Sequence, residues 1–226
     1  MRFMEKMIIS CQAVEGEPLY VEEKSIMYLM ARAAKTGRHT CNPYKQYPRC
    51  HSDQRETGLP VIGLVKIQYP GYEGYITPTM KEVDDLVAAG SDVVALDCTL
   101  RKRGDGITVN EFIAQIKEKY PDIILMADIS NYEEGINAWK CGVDIVGTTM
   151  SGYTDYTSKK DEPDYELMER LAKDTDIPVI GEGKIHYPDQ AVKALQTGVW
   201  AIVVGGAITR PLEIAQRFQK AIENSK

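Results

Sequence analysis

The chain has 226 residues, 43% hydrophobic and 27% charged, a composition that supports one domain with a full core. Its formal net charge of −6 argues against a general nucleic-acid surface, and no apolar run is long enough to span a bilayer. The N-terminal MRFMEKMIISCQ has too short an apolar segment for a signal peptide, and five scattered cysteines, an odd number, do not read as a disulfide framework, so a soluble, cytoplasmic protein is expected.

In chain order, short apolar runs predict strands, and the amphipathic segments between them predict helices. Residues 7–10 (MIIS) form the first strand. After a gap come a strand at 61–66 (VIGLVK), a helix at 79–89, a strand at 93–97 (VVALD) and a helix at 110–119. Strand 123–128 (IILMAD), helix 132–141, strand 143–148 (VDIVGT) and helix 164–174 follow, then strand 178–182 (PVIGE), helix 189–197, strand 201–205 (AIVVG) and helix 211–224. The strands are nearly continuous in apolar residues, as parallel strands covered on both faces are. Gly90, Gly142 and Gly198 stand where helix C-terminal caps belong. The alternation predicts an α/β fold, a single-domain (β/α)8 TIM barrel over residues 1–226, with an eighth strand expected near residue 40.

That region is anomalous. Residues 36–55, TGRHTCNPYKQYPRCHSDQR, contain no Val, Ile, Leu, Met, Phe or Ala, yet hold two of the three His, two of the five Cys and two of the 11 Pro. The composition predicts neither a buried strand nor an amphipathic helix. A zinc knuckle from His39, Cys41, Cys50 and His51 fits no standard ligand spacing. The reading preferred for 36–55 is a frame-shifted segment, from paired compensating indels in the gene or its recorded sequence. Codons for Gly37 to Arg55 exist whose neighbouring frame reads GTRAIRTNSIRDVIQIK, with an apolar strand end, an arginine and an amphipathic helix.

Residues 201–211, AIVVGGAITRP, close an apolar run with Gly205-Gly206 and lead into a helix start at Thr209-Arg210-Pro211, a suitable seat for a phosphate. The loops after strands 7 and 8 are the usual phosphate site of such barrels. Polar residues ending separate strands, Gln12, Lys66, Asp97, Asp128, Thr148, Thr149 and Glu182, converge on one mouth. Lys66 there is a desolvated base, a Schiff-base nucleophile or a phosphate contact. Lys184 is placed to hold Glu182 ionised or to bind phosphate, and Gly152-Tyr153 form a ligand-covering loop or a plain turn. Cys11 and Cys98 are expected to be buried structural thiols, and Trp139 and Trp200 to serve packing.

Together, SCQA with EPLY (10–20), LPVIGLVK (59–66), YITPTMKEVD (75–84), ALDCT, MADIS, GTTMSGYT, IGEGKI and VVGGAITRP resemble the N-acylglucosamine-6-phosphate 2-epimerase family, also called N-acetylmannosamine-6-phosphate epimerase. The resemblance covers nearly the whole chain except about residues 35–55. It implies a (β/α)8 barrel, a homodimer, and no metal or organic cofactor. The implied reaction interconverts N-acetylmannosamine 6-phosphate and N-acetylglucosamine 6-phosphate in amino-sugar and sialic acid catabolism. Lys66 and Glu182 carry over as the acid–base pair at C2, and Gln12 and Asp128 as ligands orienting the sugar and its N-acetyl group. Gly183, Gly205, Gly206 and Arg210 carry over to the phosphate end. The family also places an arginine at the end of strand 2, where this chain has Pro43 or a near neighbour. Two other readings are a Schiff-base phosphosugar aldolase or lyase using Lys66, and an inactive phosphosugar-binding homologue.

Overall fold

The computed structural model describes residues 6–13, 16–21, 26–36, 40–43, 58–159 and 161–225. Among these the strands are β1 (Met7–Cys11), β2 (Thr40–Pro43), β3 (Ile62–Gly63), β4 (Val93–Asp97), β5 (Ile124–Asp128), β6 (Ile145–Gly147), β7 (Val179–Gly181) and β8 (Ala201–Val204). The helices are α1 (Met27–Thr36), α2 (Met80–Ala88), α3 (Val109–Lys119), α4 (Tyr132–Lys140), α5 (Tyr165–Asp174), α6 (Pro188–Gln196), α7 (Gly206–Thr209) and α8 (Pro211–Glu223). Every strand pairing is parallel, in the order β2-β1-β8-β7-β6-β5-β4-β3, and the end strands β2 and β3 come back into contact. This is the (β/α)8 barrel that the strand–helix alternation predicts.

The strands sort their side chains by parity, because successive Cβ atoms point to opposite faces. Ile8, Ile62, Leu64, Val93, Ala95, Met126, Ile145, Ile180, Ala201 and Val203 fill the barrel interior. The alternating Val94, Leu96, Leu125, Ala127, Val146, Val179, Ile202 and Val204 pack outward against the helices. Followed toward the C-terminal ends, the inward parity reaches Gln12, Lys66, Asp97, Asp128, Thr149 and Glu182, so a single geometric rule carries these polar side chains to the mouth.

Several expectations change. Residues 61–66 do not form one continuous strand: β3 is two residues long, and the chain after it folds back. The Ile67 N–H donates to the Tyr75 carbonyl at 2.9 Å, and Lys66 pairs with Ile76 in an antiparallel bridge. Helix α1 was not anticipated; among its described side chains, the small Ala31 and Ala34 are buried against Ile9 and Cys11 of β1. The eighth strand expected near residue 40 is present inside the anomalous segment. Thr40–Pro43 pairs along β1, from Ile8 opposite Thr40 to Cys11 opposite Pro43. Ladder hydrogen bonds come from the backbone and need no apolar side chain, and a proline is tolerated at a strand end. Residues 44–55, and with them Cys50 and His51, lie outside the described residues, as does His39. Among the described residues no group of His, Cys, Asp and Glu is arranged to hold a metal. The glycine caps are as expected, Gly90, Gly142 and Gly198 all having positive φ.

Candidate active site

The C-terminal mouth of the barrel encloses a cavity of about 410 Å³. Gln12, Lys66, Glu182, Gly183, Gly205, Gly206 and Arg210 all line it. Lys66 is fixed by the fold-back after β3. Buried Thr77 clamps that turn: its hydroxyl donates to the Ala95 carbonyl at 2.6 Å and accepts the Val65 N–H at 3.1 Å, while its φ of 46° is unusual for a β-branched residue. The Lys66 ammonium donates to Gln12 Oε1 at 3.0 Å, and Gln12 Nε2 donates in turn to the Ser10 hydroxyl.

Burial lowers the Lys66 pKa, although the Glu182 and Asp128 carboxylates pull it back up. Burial raises the pKa of Glu182, with Lys66 and the Thr149 hydroxyl opposing. An amine pushed down and a carboxyl pushed up, facing one cavity, approach each other in proton affinity, the condition for acid–base work near neutral pH.

Glu182 is held at both ends by the two threonines that follow β6. The Thr148 hydroxyl donates to the Glu182 carbonyl at 2.8 Å and accepts the Glu182 N–H at 2.9 Å, while the Thr149 hydroxyl lies 3.1 Å from Glu182 Oε2. Glycine at 183 and Lys184 then turn the chain with φ of 102° and 60°.

Asp128 and Asp97 reach the same end but do not line the cavity. Asp128, 1% exposed, lies beneath it, its Oδ1 accepting from Thr149 at 2.6 Å, while its Oδ2 is buried without a partner among the described residues. Asp97 is committed to structure: it accepts from the Thr99 N–H at 3.1 Å and hydroxyl at 2.5 Å and pairs with Arg101 at 2.7 Å. Lys184 does not serve Glu182; its ammonium stands over the exposed Tyr153 ring, 5.2 Å from the centroid, on the cavity wall.

The helix start expected at Thr209-Arg210-Pro211 is present: α8 begins at Pro211 with Arg210 as its N-cap. A short turn of helix, α7, precedes it from Gly206, with Gly205 ahead of that turn. The buried Thr209 hydroxyl ties this turn to the Ser10 carbonyl at 2.8 Å. Arg210 pairs with Glu17 and with Glu213, each at 3.0 Å, and a Cβ on Gly206 would strike the Glu213 carboxylate. Pro43, ending β2 opposite Cys11, stands at the mouth end where the family pattern calls for arginine.

Sequence reasoning did not single out Tyr75, Met150, His186 or Glu213, which also line the cavity. Tyr75 and Met150 lie within the quoted motifs, so that signal was present; His186 and Glu213 follow motif ends and had none. Cys11 and Cys98 are fully buried, as expected, and Trp200 packs against the barrel interior.

The parallel barrel, with an amine, two carboxylates and a glycine-lined corner at its C-terminal mouth, defines a (β/α)8-barrel enzyme. The family model described as "Putative N-acetylmannosamine-6-phosphate epimerase" matches residues 27–224, and the chain belongs to that family. A relative bearing the 2-epimerase name from Caldanaerobacter subterraneus subsp. tengcongensis is 50% identical over 220 residues, covering 97% of this chain and 92% of the relative. Another, from Clostridioides difficile, is 47% identical and covers 96% of each. The solved structure of the N-acetylmannosamine-6-phosphate 2-epimerase from Clostridium perfringens matches with a TM-score of 0.89 and 44% identity, over 96% of this chain and 93% of that one. A thiamine phosphate pyrophosphorylase from Pyrococcus furiosus, at 20% identity and a TM-score of 0.59, shares the fold alone.

Proposed function

We propose that this chain, working as a single domain, interconverts N-acetylmannosamine 6-phosphate and N-acetylglucosamine 6-phosphate, with Lys66 and Glu182 as the acid–base pair. The observation carrying this reading is that the Lys66 amine and the Glu182 carboxylate line one cavity, with burial moving their proton affinities toward each other. In the open-chain sugar the C1 carbonyl acidifies the proton on C2. One group removes that proton, electron density moves onto O1 as the enolate forms, and a proton returns to the opposite face of C2, inverting it. The enolate oxygen needs a donor; Gln12, held by Lys66 and Ser10, brings an amide to the cavity. Asp128 supports this set from below. No metal or organic cofactor takes part in these steps.

In the same reading, the phosphate binds against Gly183, Gly205, Gly206 and Arg210 and competes with Glu213 for the Arg210 guanidinium. In this reading the reaction belongs to amino-sugar and sialic acid breakdown. The free thiols Cys98 and Cys141 suit the reducing cytoplasm. The assembly is a homodimer: α8 buries none of its residues and presents Ile214, Phe218 and Ile222 along one stripe.

The test is incubation with N-acetylmannosamine 6-phosphate in D2O, followed by NMR. Deuterium at C2 of both epimers is expected. Sugar that binds without C2 exchange overturns the assignment in favour of a phosphosugar sensor, and borohydride trapping of Lys66 with substrate overturns it in favour of a lyase.

A further inference from the structure

Beneath the cavity, one hydroxyl stands between two buried carboxylates. Thr149 Oγ1 is 2.6 Å from Asp128 Oδ1 and 3.1 Å from Glu182 Oε2. A threonine hydroxyl carries a single proton and can donate to only one of them. If both carboxylates were ionised, the second would face a hydroxyl lone pair, in a place where Asp128 Oδ2 already lacks any partner among the described residues. With one proton on the pair, every contact of the bridge is satisfied: the protonated carboxyl donates to Thr149 Oγ1, and Thr149 donates to the other carboxylate.

We propose that Thr149 is a positioning residue whose hydroxyl joins Asp128 and Glu182 into a pair holding one proton between them at neutral pH. This rests on the acid–base role assigned to Glu182. The bridge also moves protons without net loss. Asp128 can give its proton to Thr149 Oγ1 as the threonine gives its own to Glu182, and both hydrogen bonds then reverse direction. With the shared proton on Asp128, Glu182 is ionised and takes the proton from C2; with it on Glu182, that carboxyl returns a proton to carbon.

The surroundings are built for the bridge. Gly147 faces it from β6, where a Cβ would stand 3.2 Å from Thr149 Oγ1 and 3.3 Å from Asp128 Oδ1. The charged and titratable groups acting on the pair are Lys66 from beyond β3, Asp97 from β4, Tyr75 from the fold-back and Tyr153 from the loop after β6; Arg210 and Glu17 act on Lys66. Lys66 favours the ionised form of both carboxylates and Asp97 opposes it at Asp128, so burial, and at Asp128 the Glu182 charge, are what retain the proton.

The test uses the full-length, ligand-free protein and the infrared band of a protonated carboxyl. Wild type is expected to show the band at pH 7 and to lose it as pH rises. Asp128→Asn and Glu182→Gln each remove the like-charge neighbour, so the midpoint of the remaining carboxyl falls. Thr149→Ser preserves the wild-type band, and Thr149→Val shifts it. In C2 exchange, Thr149→Val lowers kcat by roughly 10- to 100-fold with KM little changed, less than the ~10²–10⁴-fold typical of losing an acid–base group, and Thr149→Ser restores it. A wild-type protein without the band at pH 7 overturns the proposal, whether or not it epimerises its substrate. So does an unchanged midpoint in both amide variants, which decides the matter even if Thr149→Val does not fold. Failure of wild type to exchange C2 while the band behaves as expected overturns the epimerase assignment instead.

Discussion

Lys66 and Glu182 become useful by being buried, and burial makes each of them costly. The alanine variants test the role directly: Lys66→Ala and Glu182→Ala are each expected to lower C2 exchange by ~10²–10⁴-fold in a folded protein. Near wild-type exchange in Lys66→Ala would reassign the base. Asp128 shows the cost. Burial, followed by the Glu182 charge, raises its pKa well above the ordinary carboxylate value. Between the unfolded and folded pKa values the folded state binds more protons, so stability is highest below the unfolded value and declines as pH rises through the folded one. Asp128→Asn removes this penalty. Its melting temperature is expected to exceed that of wild type at pH 7, with the difference shrinking as pH falls from the folded pKa toward about 4, below which the Asp128 carboxyl is protonated in both states. Differential scanning at the two pH values checks this; a difference independent of pH would refute it.

At the scale of elements, the outward and inward apolar runs were legible because both strand faces are covered. Residues 93–97 were read as a strand and form one, and helices α2 to α6 and α8 fall within a residue or so of expectation. Where local composition is not what shapes the chain, the reading missed. The fold-back after β3 is held by Thr77 against the carbonyl of Ala95 on the neighbouring strand, a contact no local pattern encodes. The segment 36–55 is the sharpest case: its composition gives no apolar strand signal, yet the strand that barrel closure requires near residue 40 is supplied by the backbone at Thr40–Pro43. The frame slip proposed for this segment predicts that peptide mass mapping across Lys35 to Arg55 returns peptides other than HTCNPYK. That peptide, recovered from a soluble and active enzyme, would refute the frame slip.

For the whole molecule, α8 is the outlier. Leu212 is 49% exposed, Phe218 69% and Ile222 57%, an unusual outlay of apolar surface on the last helix of a barrel. In the proposed homodimer this stripe is buried, so Phe218→Asp is expected to shift the protein toward monomer in sedimentation analysis; an unchanged sedimentation coefficient for a dimeric wild type would place the interface elsewhere. The barrel and most of the candidate site were determined by the sequence itself, since the two-residue period of the strands commits Lys66, Asp128 and Glu182 to one end of the interior. Only the tertiary structure decided how those residues are divided. Asp97 is spent on Thr99 and Arg101, Asp128 lies under the floor, and of the adjacent threonines Thr148 latches the backbone of Glu182 while Thr149 bridges its carboxylate to Asp128. These distinctions depend on which neighbouring strand stands within hydrogen-bonding distance, and strand neighbours in a parallel barrel are far apart in sequence.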